Sequence, residues 1–151
     1  EIPLDVVTRV FAKAQGTIRV LNPAPAAVIP GELLSLCDIA VPNETESEAM
    51  GGTKYLLGSG VNTVITTLGE RGAEISDATS TTAVTPYPVN AIDTVGAGDA
   101  FVGALCAEIA RDTEIQRAAR IASVAGALAT TVRGAVPSLP TRAAVMSLYA
   151  D

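Results

Sequence analysis

"NAIDTVGAGDAF", residues 90–101, sets Asp93 and Asp99 on either side of a glycine-rich turn and then runs into an apolar, helix-like segment. Small residues at Gly96, Ala97 and Gly98 let the backbone fold tightly just before a helix. Amide N–H groups then point outward at the positive end of that helix, where an anion such as a phosphate is stabilised. Asp99 falls in the first helical turn, close enough to a held anion to accept a proton from an attacking hydroxyl. A cradle with a carboxylate beside it points to phosphoryl transfer, in which positioning and charge stabilisation supply most of the catalysis. The competing reading is a tight turn with an Asp cap, as most Gly-x-Gly-Asp strings are. No Gly-x-x-x-x-Gly-Lys-Ser/Thr string occurs, so a P-loop is excluded.

Downstream of Asp99 the apolar period is helical: Phe101, Leu105 and Ile109 form one stripe, flanked by Val102 and Cys106. Thr113 and Gln116 have capping-box spacing for a second helix, whose face of Ala118, Ala119, Ala122, Gly126 and Ala129 is small enough for close approach to a neighbour. "VRGAVPSLP" reads as a loop, and Thr141 as the cap of a last helix. Upstream, Pro3 opens a helix that Gly16 stops, "TIRVLN" is a β-like run ended by prolines, and "ELLSLC" is a short helical turn. "DIAVPN" reads as a brief strand, and "NETESEAMGG" as a short helix closed by Gly51 and Gly52. A strand from about Val61 to Leu68 turns back through Ala73 to Ile75, and a further edge strand follows. Strands alternating with helices predict an α/β fold with a mostly parallel, covered sheet.

The composition agrees. A chain of 151 residues is one domain's worth and can bury about two thirds of the surface its unfolded form exposes. Aromatics are only 3%, so Ala, Val, Leu and Ile must fill the core. A net charge of −6 without a Lys/Arg cluster excludes a nucleic-acid footprint. Cys37 and Cys106 have no second thiol or histidine nearby, which argues against a metal site and for a reducing, cytoplasmic setting. Histidine is absent, so any general base is a carboxylate or another group. No apolar run reaches the roughly 18 residues of a membrane span. The chain opens at "EIPLDVV" without Met, which reads as an interior cut.

"DTVGAGDAF" resembles the C-terminal signature of the ribokinase-like sugar kinases, the PfkB family, Asp-Thr-x-Gly-Ala-Gly-Asp-x-Phe, at every fixed position. "LNPAPA" at 21–26 and "PNETE" at 42–46 resemble its ribose-phosphorylating branch, and "TTLGERGA" at 66–73 and "RGAVPSLP" at 133–140 follow in the family's order. The resemblance implies a three-layer α/β/α sandwich with a mostly parallel sheet. Residues 1–151 would form its C-terminal, ATP-side half, without the sugar-binding half or the lid through which such kinases dimerise. It also implies a sugar and ATP as small-molecule partners, no nucleic acid or membrane, and Mg²⁺ and K⁺ as cofactors.

By that resemblance Asp99 is the base that takes the proton from the sugar's primary hydroxyl, and the amides of Gly96, Ala97 and Gly98 form the anion hole. Asn43 and Glu46 match an Asn-x-x-Glu motif that positions Mg²⁺ and phosphate largely through water; the same pair also suits a helix start, and the two roles coexist. Thr67, Gly69 and Gly72 match a nucleotide-binding turn, with Glu70 counted in it although its own reading is solvated surface. Asp93, Val95, Ala129, Val132, Gly134 and Ser138 match a monovalent-cation site built largely of carbonyls, where Asp93 reads equally well as a satisfied turn residue. Ser123 stands where the family has Asn or His beside adenine, a departure. A second departure is an interval of roughly a dozen fewer residues between "AMGG" and "KYLLGSG" than the usual crossover helix takes. Ribose is the first expectation for the acceptor. A fructokinase or nucleoside kinase, or a non-catalytic nucleotide-binding fragment, is the alternative.

Overall fold

A computed structural model describes residues 2–149, and the chain divides into two compact units. The first runs through Leu68 and takes back Glu74–Thr82; the second comprises Gly69–Ala73 and the chain from Ala83 onward.

In the first unit α1 (Leu4–Lys13) leads to β1 (Val20–Leu21), α2 (Gly31–Leu36) and β2 (Ile39–Ala40). Then come α3 (Glu44–Ala49), α4 (Thr53–Gly58) and β3 (Thr63–Thr67). β1, β2 and β3 are parallel neighbours, with Val20 opposite Ile39 and Ile39 opposite Thr63. β4 (Ala73–Ser76) and β5 (Thr81–Val84) complete a sheet in chain order. The links before and after β4 are far too short for a parallel crossover, so these two strands run back and forth and the sheet is mixed. The core holds Leu33, Leu34, Leu56 and Val64, with Leu4, Val7 and Phe11 of α1 packed on it.

β1 is shorter than the β-like run in the sequence: at its start the Arg19 amide is taken by the Asp38 side chain, and beyond Asn22 Pro23 has no ladder donor. At its start Arg19 closes on Asp38, Nε to Oδ2 at 2.9 Å and the backbone N–H to the same oxygen at 2.8 Å. The Arg19 guanidinium holds the Asp38 carboxyl below its ordinary value. Sequence reading had no helix at 53–58. The crossover from β2 to β3 is carried by two short helices joined at Gly51 and Gly52, with φ of 97° and 84°, a break that a side-chain-bearing residue resists.

The second unit contains α5 (Ala97–Ile109), α6 (Ile115–Ala129), α7 (Ala135–Ser138) and α8 (Arg142–Leu148). The expected small face of α6 is buried throughout, and a Cβ added at Gly126 would lie 3.2 Å from the Ala97 carbonyl oxygen, so α6 does approach α5 closely. The structure differs from three local expectations. Thr113 does not cap α6: Glu114 does, accepting from the Gln116 and Arg117 amides at 2.9 and 3.0 Å, while Thr113 donates to Glu108. The inward stripe of α5 is Ala100, Phe101, Leu105 and Glu108, with Ile109 only half-buried. "VRGAVPSLP" is not wholly loop, since residues 135–138 form one helical turn. Thr141 caps α8 as expected, accepting the Ala144 amide at 3.2 Å.

Candidate active site

In the first unit, the C-terminal ends of β2 and β3 bring Asn43 and Thr67 side by side as an isolated parallel bridge, with the Thr67 amide donating to the Pro42 carbonyl at 2.9 Å. The ends of parallel strands are where open α/β sheets place ligands. Asn43 Oδ1 accepts the Glu46 amide at 2.8 Å, and Glu46 Oε2 accepts the Asn43 amide at 2.8 Å. This reciprocal cap fixes both side chains at an accessible strand end, and Glu46 Oε1 lies outside the box. The donor chemistry is one carboxylate and one amide oxygen. Among the described residues no group of three or more His, Cys, Asp or Glu side chains could cage a metal. That fits Mg²⁺, which keeps several waters and takes one or two carboxylates plus phosphate oxygens.

In the second unit, Gly96 is the N-cap of α5 in the left-handed conformation, φ 81° and ψ −2°, and no side chain caps this helix. A Cβ there would meet Ala135 Cα at 3.0 Å. Asp99 is therefore not a cap: it is exposed in the first turn. The Ala97 amide is engaged by the Thr94 carbonyl at 3.2 Å, and the Ala100 amide by that of Gly96 at 2.9 Å. Of the small-residue turn, Gly98 is the exposed position whose amide has no carbonyl four residues back inside the helix, as is that of Asp99 itself. A cradle here rests on those two amides more than on Ala97.

Asp93 anchors this loop. Its Oδ1 accepts the Val95 amide at 3.1 Å and its Oδ2 the Gly134 amide at 2.9 Å, and the Gly134 bond, then the Val95 bond, holds the carboxyl below its ordinary value. The Ile92 and Asp93 amides both donate to the Thr130 carbonyl, one residue past Ala129. Buried Ser138 donates its hydroxyl to Ala135 O at 2.8 Å and its amide to Gly134 O at 3.2 Å. Asp93, Val95, Gly134 and Ser138 are thus tied into one hydrogen-bonded loop pair. Ala129 closes α6, and Val132 follows with its side chain exposed. Both carboxylate oxygens of Asp93 are engaged by backbone amides, so a cation held by this loop pair would rest chiefly on carbonyl oxygens.

The turn at Gly69–Arg71 is a 3-10 turn with Gly69 at φ 60° in open space and Glu70 exposed. Gly72 is different. It is buried at φ 87°, and an added Cβ would fall 2.1 Å from the Val84 carbonyl oxygen, so close chain packing requires this glycine. Ser123 is buried and turns its hydroxyl to the Thr85 carbonyl at 3.5 Å.

Sequence reasoning missed Glu108. The residue is 3% exposed, and its carboxylate accepts from Arg142 Nε at 2.7 Å, Arg142 Nη2 at 3.3 Å and Thr113 Oγ1 at 3.1 Å. The Arg142 bond holds Glu108 below the usual carboxylate range. The signal was available: a Glu three residues past Leu105 continues the inward face of a helix. Burial pushes the Cys37 thiol up to about 11, so it is an inert core group.

Comparison with known proteins bears on the family and the fold. The family model for pfkB family carbohydrate kinases matches residues 3–142. This chain belongs to the pfkB family. It is similar to a ribokinase of Staphylococcus aureus (strain COL), 39% identical over 155 residues, covering 93% of this chain and 51% of the relative. A ribokinase of Haemophilus influenzae is 37% identical over 144 residues, covering 87% of this chain and 47% of its own length. Among solved structures, the ribokinase of Thermotoga maritima matches with a TM-score of 0.92 at 29% identity, covering 97% of this chain and 53% of that one. An Arabidopsis thaliana ribokinase complexed with ribose and ATP matches at 0.91 and 27%, covering 97% of this chain and 52% of that one. The expected ribokinase-like α/β fold is borne out. The chain spans about half the length of these family relatives. Among the described residues no helix is long and apolar enough to cross a membrane.

Proposed function

We propose that this chain is the nucleotide-side half of an ATP-dependent sugar kinase that phosphorylates the primary hydroxyl of D-ribose to give D-ribose 5-phosphate. The observation that carries the reading is the uncapped start of α5, where exposed Asp99 follows exposed Gly98. Asp99 accepts the proton of the sugar hydroxyl as its oxygen bonds to the γ-phosphorus and the bond from that phosphorus to the β,γ-bridging oxygen breaks, so that ADP leaves with the bond's electron pair. The Gly98 and Asp99 amides, with the helix dipole behind them, stabilise the charge gathered on the phosphoryl oxygens. Mg²⁺, when bound, neutralises phosphate charge. Asn43 and Glu46 would hold it through water. Asp93, Val95, Ala129, Val132, Gly134 and Ser138 would hold K⁺ near the cradle, and Thr67, Gly69, Glu70, Gly72 and Ser123 would line the nucleotide. Gly72 would serve through its backbone, while Ser123 is buried with its hydroxyl turned to the Thr85 carbonyl, so its side chain would lie behind the nucleotide.

Ribose is favoured over other acceptors by the names of the relatives and by the ribose and ATP in the Arabidopsis complex. A deoxyribokinase of Salmonella typhi, 33% identical over 156 residues, supports a second acceptor within the same chemistry. The test is turnover of the longest polypeptide that contains this chain, with ATP, Mg²⁺ and K⁺, on ribose, deoxyribose, fructose and a nucleoside. Preference for ribose by kcat/KM supports the reading, and phosphorylation of none of the four overturns it. Residues 1–151 alone are expected to turn over little, because an acceptor pocket open to solvent cannot exclude water.

A further inference from the structure

α5 carries Gly98 and Asp99 at its start and the buried carboxylate of Glu108 near its end. Its inward face is otherwise apolar, and the α6 surface it meets is made of small residues. The close approach at Gly126 and Ala97 seats the start of α5 on α6, and apolar burial along the rest of the face is non-directional. An Arg–carboxylate pair is directional. Residues 134–142 connect both ends of α5. At one end the Gly134 amide donates to Asp93 and Ala135 lies against Gly96; at the other, Arg142 holds Glu108, which also accepts from Thr113.

We infer that Glu108 is a positioning residue for the phosphate loop: through Arg142 it fixes segment 134–142, whose far end sets Gly96 and thereby the direction of the Gly98 and Asp99 groups. The inference rests on the kinase reading above for its effect on turnover. The pair also contributes to stability, since Glu108 is buried and Arg142 is half exposed, so the test has to separate loop positioning from global stability.

The test is hydrogen exchange and steady-state kinetics on the complete polypeptide carrying the paired change Glu108→Leu with Arg142→Met, with Glu108→Gln as the milder variant. The amides to follow are Ala97, Ala100 and Gly134, which donate to Thr94, Gly96 and Asp93, with those of Ala122 and Ala125 in α6 as internal reference. The expected result is at least about tenfold faster exchange at the three loop amides relative to α6. A fall in kcat of about tenfold should accompany it, with KM for ATP changed less than about threefold. A variant that melts earlier but keeps both loop exchange and kcat overturns the inference. If the paired variant does not fold, the same comparison is made on Glu108→Gln. The exchange readout needs no turnover, so a wild type inactive on every sugar removes the kinase reading while leaving this one testable: faster loop exchange supports it and unchanged exchange refutes it.

Discussion

The Asp93 carboxylate accepts the Gly134 amide at 2.9 Å across 41 residues of chain, and in doing so ties the turn before α5 to the start of α7. Its other oxygen accepts the Val95 amide, so both oxygens are committed to backbone. These bonds favour the ionised form and depress the folded-state pKa. Asp38 and Glu108 are depressed in the same direction by Arg19 and Arg142. A depressed carboxyl contributes stability that is complete above its unfolded pKa, about 3.9 for Asp and 4.3 for Glu, and is lost as pH falls toward the folded value. Melting temperature should therefore be insensitive to these groups between about pH 7 and 5 and fall below about pH 4. Asp93→Asn should melt earlier at pH 7, with the gap to wild type narrowing at pH 3. A gap that widens on acidification contradicts the assigned bonds.

Gly69 and Gly72 look alike in "LGERGA" but face different constraints. At Gly69 the cost of a side chain is the left-handed backbone alone, so Gly69→Ala should lose about 1 kcal/mol. At Gly72 a Cβ also collides with the Val84 carbonyl, which must move, so Gly72→Ala should lose at least about 3 kcal/mol. Urea unfolding of the two variants checks the order. Equal losses would mean that residues 83–86 yield freely.

How far the sequence could be read follows from where local signals decide the outcome. Asn43 with Glu46, Gly51 with Gly52, and Thr141 carry their structural role within a few residues, and each does what its spacing predicts. The parallel strands were legible as elements, but their shortness was not, because the Asp38 side chain that takes the Arg19 amide and the prolines that follow β1 and β2 act on the ladder rather than on hydropathy. Thr113 misled: its spacing to Gln116 suits a cap, but the Glu114 carboxylate takes the Gln116 and Arg117 amides, while Thr113 donates to Glu108. The bonds that shape the second unit, Asp93 to Gly134 and Glu108 to Arg142, join residues 41 and 34 positions apart. No local pattern announces a partner at that distance.

Gly126 offers a test of the α5–α6 contact. An alanine there gains helix propensity, worth about 1 kcal/mol over glycine. Its methyl, however, comes to 3.2 Å from the Ala97 carbonyl, at the first residue of α5. The two effects oppose, so Gly126→Ala should leave stability within about 1 kcal/mol of wild type. Gly126→Leu has no room to relax and should cost about 2–3 kcal/mol by overpacking. A neutral leucine in thermal and urea unfolding would show that α5 shifts without penalty.

The proposed proton transfer depends on the Asp99 carboxylate. Asn at this position keeps the size and much of the polarity of the carboxylate but cannot take the proton from an attacking hydroxyl. No cap is lost, since no side chain caps α5, and the side chain is exposed, so the fold has little stake in its charge. The amides that would meet phosphate are backbone groups and stay in place. Asp99→Asn in the complete polypeptide should therefore lower kcat by at least about 100-fold, the scale of a lost general base, with ATP affinity and melting temperature nearly unchanged. Steady-state kinetics and ATP titration separate the cases. An unchanged kcat would return Asp99 to the role of a surface carboxylate in a tight turn, while a loss of ATP binding equal to the loss in rate would make it part of the phosphate site instead of the base.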